Sequence, residues 1–508
     1  MYVLEFILEN KNNSYKYFEK VFWCKFKIQN VLISYAIKQI GKLQHDDAYI
    51  QAKENYKTYK TVKGSRLDKD KITAVMNERI TYYGLTKGSF EQYVKVQQDK
   101  YRKYISSQMA QLVARDVFSA VRKCLYSNGK EIHHKKLDAI HTVSAKSLKN
   151  GILLNTEHEV CHFGPKRHGI DCHFIIKDYN KWARNCYLKD KDKVKFCRLA
   201  RKQFNTGYKY YIQFIIDGEP IQKHGCGEGK CGIDPGISTV AAVADDKCFL
   251  EVLAADAARY NKDIVECQKE MERSRRINNP ACYNKDGTIK KGSRFKKTKK
   301  YKKLLKRFRT LHRKRTFCIK QSHDILANKI LGHCNSVVYE RMDFAALGRR
   351  RKGDAVRQEK VSEVKNKDGA VKKIKKFRKK RRFGKSLQNR SPGLFLEILK
   401  RKCIQHGFMA LETNTKTFKA SQYNHIFNDY RKKKLGERWN VLYDEWYEPI
   451  LIQRDLYSAF LIKNADSSLK HADRHKCTDG FGKFVKIHDK CIEDVIKSGT
   501  ARPACFGF

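Results

Sequence analysis

Three acidic side chains lie far apart along the chain, each at a point where a strand or helix could present it. Asp234 closes the short apolar run Cys231-Gly232-Ile233, and Pro235-Gly236 turns the chain after it. Glu340 closes a second run, Ser336-Val337-Val338-Tyr339, and Asp455 opens an apolar helical stretch from Leu456 to Ile462. Carboxylates gathered at one place repel, and each raises the proton affinity of the others. Divalent cations relieve that repulsion, and hard oxygen ligands with open water positions suit Mg²⁺. Two such ions about 4 Å apart activate a water and stabilise a leaving oxygen in phosphodiester hydrolysis. From its own stretch alone, Asp234 reads equally as a turn aspartate. Asp245, Asp246 and Asp343 are rival ligands. The Asp pair closes the far end of a hairpin, and Asp343 follows Glu340 by three residues.

These side chains need elements to position them. Lys230 to Val243 reads as strand, turn, strand, and Phe249 to Val252 adds a third strand. A helix through Ala257, Tyr260, Ile264, Cys267 and Met271 follows, then a polar loop and a long basic helix over Lys297–Ile330. Next come the strand ending in Glu340, a basic low-complexity loop over 349–390, and a helix over Gly393–His406 stopped by Gly407. A strand over Phe408–Leu411 precedes an irregular polar stretch over 414–450, the helix that Asp455 opens, and a last helix near 481–496. This is the order of an RNase H-like nuclease core. In that core the first and fourth strands lie side by side, so their C-terminal ends would bring Asp234 and Glu340 together, with Asp455 opposite.

The front of the chain reads differently. Residues 1–9 form a strand, Tyr15 to Leu43 a helix, and a polar Lys-rich region separates it from helices over Lys71–Leu125. In Tyr104–Leu125 one apolar stripe faces inward, while Gln108, Gln111, Arg115 and Arg122 lie on the other side. Such a face suits a DNA groove, and equally a solvated surface. From 128 to 225 the pattern is β, with Asn205-Thr206-Gly207 joining two strands. A small antiparallel barrel that includes residues 1–9 is expected.

The chain has 508 residues, enough for about three domains. Lysine and arginine number 108 against 54 acidic residues, a net charge of +54 that calls for a polyanionic partner. No apolar run reaches the roughly 18 residues of a membrane span, and the N-terminus reads as a strand rather than a signal peptide. The 17 cysteines are scattered with no CxxC pair, the pattern of reduced thiols in a cytosol.

Three segments in order carry a family resemblance: Gly232-Ile233-Asp234-Pro235-Gly236, Val338-Tyr339-Glu340-Arg341-Met342, and Gln453-Arg454-Asp455-Leu456-Tyr457-Ser458-Ala459. They resemble the three RuvC motifs of transposon-encoded TnpB proteins, the ancestors of type V CRISPR effector nucleases. Asn279-Pro280 through Lys299-Lys300-Tyr301, Arg382 to Leu387, Ala420 to His425, and Ser106-Ser107-Gln108 through Arg122-Lys123 are similar to further TnpB segments. The resemblance implies a multidomain α+β protein: an RNase H-like RuvC α/β core, an antiparallel β-barrel called the wedge, and a helical recognition lobe. The expected division is wedge over 1–12 and 126–225, recognition lobe over 13–125, and RuvC core over 226–413. A reduced target-binding insert over 414–452 and a last RuvC segment over 453–508 complete it.

The implied activity is that of an RNA-guided DNA endonuclease, with guide RNA and double-stranded target DNA bearing an adjacent motif as partners. Localisation would be the bacterial cytoplasm, in association with the nucleoid. Asp234, Glu340 and Asp455 would be catalytic ligands of two Mg²⁺ ions. Arg454 would neighbour the scissile phosphate or serve the structure. The resemblance assigns no motif-reading residues; from the polar helix face alone Gln108, Gln111 and Arg115 would contact nucleic acid, and Lys416, Lys419, Arg431–Lys434 and Trp439 would hold the target strand by charge and stacking. The zinc finger usual in the family is not expected, because residues 414–452 contain no cysteine. His471, His475, Cys477, His488 and Cys491, and Cys226 with Cys231 and His224, read as packing or solvated groups. The alternatives are a guided DNA-binding regulator without cleavage and a guide-independent RuvC-type resolvase or transposase.

Overall fold

The computed structural model describes the chain except residues 10–11, 63–65, 127–128, 130, 166–167, 178–179, 350–356, 366–370, 378–382, 435, 444–447, 499–505 and 508. It is a mixed helix-and-sheet protein of two units, Met1–Ile221 and Gln222–Phe508. Among the described residues no helix is long and apolar enough to cross a membrane.

The first unit begins with strand β1 (Tyr2–Leu8), followed by helices α1 (Asn12–Gln44), α2 (Asp47–Val62), α3 (Arg66–Tyr82), α4 (Lys87–Asp99) and α5 (Ser107–Tyr126). Then come β2 (Thr142–Ser144), β3 (Gly151–Asn155), β4 (Val160–Gly164), β5 (Ile170–Ile175), α6 (Lys181–Asp190), β6 (Val194–Phe204) and β7 (Gly207–Ile216). The strands form one seven-stranded antiparallel sheet in the order β2-β6-β7-β1-β5-β4-β3. It curls until edge strand β3 packs back against β6, so the sheet is nearly closed. Gly207 turns the β6–β7 hairpin at φ +140°, a value that side chains resist. The Lys-rich stretch after α1 is itself helical, as α2. Its tyrosines and lysines dilute the apolar period, and Asp46 caps it by accepting the Tyr49 N–H at 2.8 Å.

The second unit holds β8 (Lys230–Pro235), β9 (Thr239–Val243), β10 (Cys248–Val252), α7 (Arg259–Asn278), α8 (Lys299–Leu331), β11 (Ser336–Glu340) and α9 (Phe344–Gly348). The hairpin strands β12 (Arg357–Lys365) and β13 (Val371–Phe377) follow, then α10 (Gly384–Arg390), α11 (Pro392–Gln405), β14 (Leu411–Thr413) and α12 (Thr415–Phe418). The chain ends through β15 (Tyr423–Asn424), β16 (Asp429–Tyr430), β17 (Trp439–Tyr443), β18 (Pro449–Gln453), α13 (Arg454–Lys463) and α14 (Arg474–Lys497). Five strands make a sheet in the order β10-β9-β8-β11-β14. β8 and β11 pair in parallel, Val338 opposite Gly232, and β11 pairs in parallel with β14. β9 is buried along its whole length, so both faces of the sheet are covered.

Several expectations change here. Described parts of the 349–390 stretch form an antiparallel hairpin and a helix rather than one loop. The lysines between Val361, Val364, Val371 and Ile374 hide the alternation a strand reader seeks. The strand expected over Phe408–Leu411 begins only at Leu411, where the parallel ladder with β11 starts. Described parts of the stretch over 414–450 form the short helix α12 and two small hairpins, β15–β16 and β17–β18.

One buried pair makes this unit sensitive to acid. His425 is fully enclosed, and its Nδ1 shares a 2.7 Å hydrogen bond with the Tyr457 hydroxyl. Burial, with Arg474 adding to it, pulls the imidazole down to about 4 from its ordinary 6.5. The unfolded chain therefore binds a proton that the folded chain refuses, and stability falls as pH drops from about 6.5 toward 4. The expected loss is about 3 kcal/mol across that window. Urea melts of wild type and His425→Phe at pH 7 and pH 4.5 measure it, and the substitution flattens the dependence.

Candidate nuclease site

The carboxylates take their positions from β8, β11 and α13. Asp234 lies at the C-terminal end of β8 and Glu340 is the last residue of β11, so the parallel pairing of these strands sets both at the same sheet end. Asp455 is the second residue of α13, where the helix dipole favours a carboxylate. Gln453 builds that helix start. Its Oε1 accepts the Leu456 N–H at 2.8 Å, while its own backbone N–H donates to His488 Nε2 at 3.0 Å. Because β18 runs into α13 without a loop, the β17–β18 hairpin sets the aim of Asp455.

Asp234 is half-buried and Glu340 is buried. Burial is the main force raising the Asp234 carboxyl well above the usual range. The charges of Glu340 and Asp455 add to it, Arg454 opposes it, and a hydrogen bond to Glu340 raises it further. Burial also raises Glu340, against hydrogen bonds to Thr415 and Asp234 that lower it. Asp234 and Glu340 thus form a carboxyl pair whose proton affinity is raised, and the Asp455 charge is felt at Asp234. Asp455 itself faces Arg454, whose Nε lies 3.5 Å from its Oδ1. Among the described residues, no three His, Cys, Asp or Glu side chains are gathered as a ready metal cluster.

Arg454 is mostly buried. Besides Asp455 it reaches the carbonyls of Lys434 and Glu437, at 3.4 and 3.1 Å, and so ties the loop before β17 to the start of α13. Thr415, absent from the sequence candidates, donates its hydroxyl to the Arg341 carbonyl, next in the chain after Glu340. Its position follows from β14, which pairs with β11 and hands the chain to α12 with Asn414 as cap.

The rival aspartates are engaged elsewhere. Asp245 pairs with Lys463 at 2.6 Å, Asp246 with His333 at 2.7 Å, and Asp343 caps α9 through the Ala346 N–H at 2.8 Å. The remaining candidates are spread over both units. Gln108 accepts a hydrogen bond from Ser147 at 3.2 Å, Gln111 is half-buried on α5, and Arg115 pairs with Glu91 at 2.7 Å. The Lys419 ammonium lies 5.9 Å from the Tyr430 ring, and Trp439 donates to the Gly507 carbonyl at 3.1 Å. Cys477, Cys491 and His488 are buried in the core around α13 and α14, with His488 also touching Asp489 at 2.8 Å. Cys226 donates to the Cys334 carbonyl at 2.7 Å, and Cys231 is buried beside Cys334.

The donor set fits magnesium in kind. It is all carboxylate oxygen, and the Asp234–Glu340 pair carries a like-charge cost that a divalent cation relieves.

No family model matches this sequence, and no curated protein matches it. Among solved structures the chain is similar to a Cas12f1–sgRNA–target DNA complex determined by cryo-electron microscopy. The TM-score is 0.43 and the identity 10%, over 87% of this chain and 82% of that one. It is also similar to a CRISPR–Cas12f ternary complex, with a TM-score of 0.26 and 10% identity over 89% of this chain and 82% of that one. Overlaps this loose carry no argument about fold or function.

Proposed function

We propose that the chain is an RNA-guided DNA endonuclease of TnpB or compact type V kind, whose second unit is an RNase H-like RuvC nuclease core. The observation that carries this reading is the meeting of Asp234 and Glu340 at one end of the paired strands β8 and β11, with the Asp455 charge felt at Asp234. These are the three motif carboxylates, in the order and on the elements that the resemblance requires. The net charge of +54 supports a nucleic-acid partner of more than a few phosphates.

In this reading Asp234, Glu340 and Asp455 would hold two Mg²⁺ ions, which supply water activation and leaving-oxygen stabilisation when bound. The chain's own residues do the positioning. Strand pairing holds Asp234 against Glu340, Thr415 ties α12 to the chain just after Glu340 by donating to the Arg341 carbonyl, and Gln453 fixes the start of α13 under Asp455. Arg454 keeps a positive charge beside the carboxylates and braces the loop before β17. The division into wedge, recognition lobe, core and insert is part of the same proposal, as is the use of Gln108, Gln111, Arg115, Lys419 and Trp439 toward nucleic acid.

The test is purification of the full chain with its RNA and a cleavage assay on a plasmid library randomised beside a guide-matched target. Cutting is expected with RNA and Mg²⁺ together, and is lost in Asp234→Ala. Cleavage without RNA would replace this reading with a resolvase or transposase. Stable RNA and target binding with no cutting under any divalent metal would make the protein a guided regulator.

A further inference from the structure

At the other end of β8 from Asp234, the second unit has a cavity of about 320 Å³. That is at the small end of the range of ligand pockets. Lys230, Lys463, Lys476 and Lys483 line it, with Asp245 and Asp479. They come from the start of β8, the turn after β9, the end of α13 and the solvent-facing side of the first half of α14. Lys230 and Asp234 are four residues apart on one strand, about 13 Å at about 3.3 Å per residue. The cavity is thus separate from the carboxylate site.

The charges inside it are unevenly matched. Lys463 is held by Asp245 at 2.6 Å, and Lys476 by Asp473 at 2.8 Å. The other Asp245 oxygen accepts the Lys230 backbone N–H at 2.9 Å, so that carboxylate is already used. Asp479 stands as the remaining acid of the lining. Among the described residues, the ammonium groups of Lys230 and Lys483 have no ion-pair partner. Burial, and then the charges of Lys476 and Lys463, depress Lys230. Asp473 and Asp245 only partly offset this at Lys230, and a compact, multiply charged anion with several acceptor oxygens, reached also by the exposed Lys476 and Lys483, would relieve it.

We propose that this lysine cavity binds a single phosphate group, either of a nucleic-acid backbone or of a free phosphate or nucleotide, with Lys230 and Lys483 as the residues that capture it. The site stands independently of the nuclease reading, because none of its lysines belongs to the carboxylate end of the sheet. Asp245 and Asp473 hold Lys463 and Lys476 in place as its walls.

The experiment uses the full chain, wild type and the double variant Lys230→Gln/Lys483→Gln. Two readouts are taken: lysine acetylation followed by mass spectrometry, and binding of a single-stranded 20-nucleotide RNA against salt. Inorganic phosphate and adenosine monophosphate are expected to protect Lys230 and Lys483 from acetylation more than the solvent-exposed Lys470. The double variant is expected to bind RNA about tenfold more weakly, with a salt slope smaller by about 1. Protection by RNA alone identifies a backbone phosphate, and protection by the small anions alone identifies a free one; each supports the site. Lys483→Arg keeps the charge and is expected to retain binding. Equal acetylation of Lys230, Lys483 and Lys470 under every ligand, with unchanged RNA affinity and slope in the double variant, would overturn the proposal. Thermal melts of both proteins without ligand separate lost binding from lost folding.

Discussion

Asp234→Asn is expected to raise the melting temperature of the metal-free protein while removing magnesium-dependent cleavage. The two effects share one cause. Asp234 lies half-buried beside Glu340 and within the field of Asp455, and its carboxyl is held well above the usual range. A carboxyl whose folded value is raised binds protons better folded than unfolded. Its contribution to stability therefore falls as pH climbs from the ordinary carboxylate range of about 4 through the raised folded value. At neutral pH the wild-type chain folds against that cost, and the amide does not. A gain of about 1 kcal/mol corresponds to roughly 2–4 °C in a unit of this size. Magnesium is expected to raise the wild-type melting temperature and leave Asp234→Asn and Glu340→Gln where they are. Cleavage is expected to drop about 10³-fold in each, since losing a ligand removes several kcal/mol of transition-state stabilisation. Calorimetry with and without Mg²⁺, beside a plasmid-nicking assay, measures both. A variant that melts lower than wild type without metal and still cuts would sink the assignment.

Gly232→Ala is expected to be the most damaging single methyl in the second unit. Gly232 lies in the middle of β8 with α13 against it. A Cβ there would collide with the Ala459 carbonyl oxygen and the Lys463 backbone N, and would come within 2.7 Å of the Lys463 Cα. These are backbone atoms of a helix and cannot swing aside as a side chain tip can. Relief comes only by moving α13 off the sheet, which opens the core around Leu456, Phe460 and Leu461 and drags Asp455 with it. The expected cost is about 3 kcal/mol or more. The matched control is Gly482→Ala in α14, where nothing lies within 4 Å of the new methyl. There alanine is expected to be neutral or to stabilise by up to about 1 kcal/mol, as helix propensity dictates. Denaturant melts should show a large loss for Gly232→Ala and no loss for Gly482→Ala. If Gly232→Ala melts like wild type, the close approach of α13 to β8 is wrong.

Much of the local structure was legible because periodicity is local. Ser336–Glu340 is a strand, an apolar run too short for a helix, and Lys299–Leu331 is helical because its apolar stripe recurs at helical spacing. Composition misled where charge masked the pattern. Tyr and Lys residues in α2 hid a helix, and Lys residues in β12 and β13 hid a hairpin. The insert read as irregular because its strands are as short as two residues, and only pairing makes them strands.

By itself the sequence determined the basic surplus and the element that bears each of the three carboxylates, since these depend on residue type and short-range spacing. The tertiary structure decided which of them meet. Parallel pairing of β8 with β11 joins Asp234 to Glu340 across a hundred residues of chain, while Asp455 is turned toward Arg454 by a helix start that Gln453 and His488 hold. It also gathered Lys230, Lys463, Lys476 and Lys483 around one cavity. No local spacing encodes such meetings. They exist only because burying the faces of the sheet and of α13 and α14 offsets the chain entropy of bringing distant segments together.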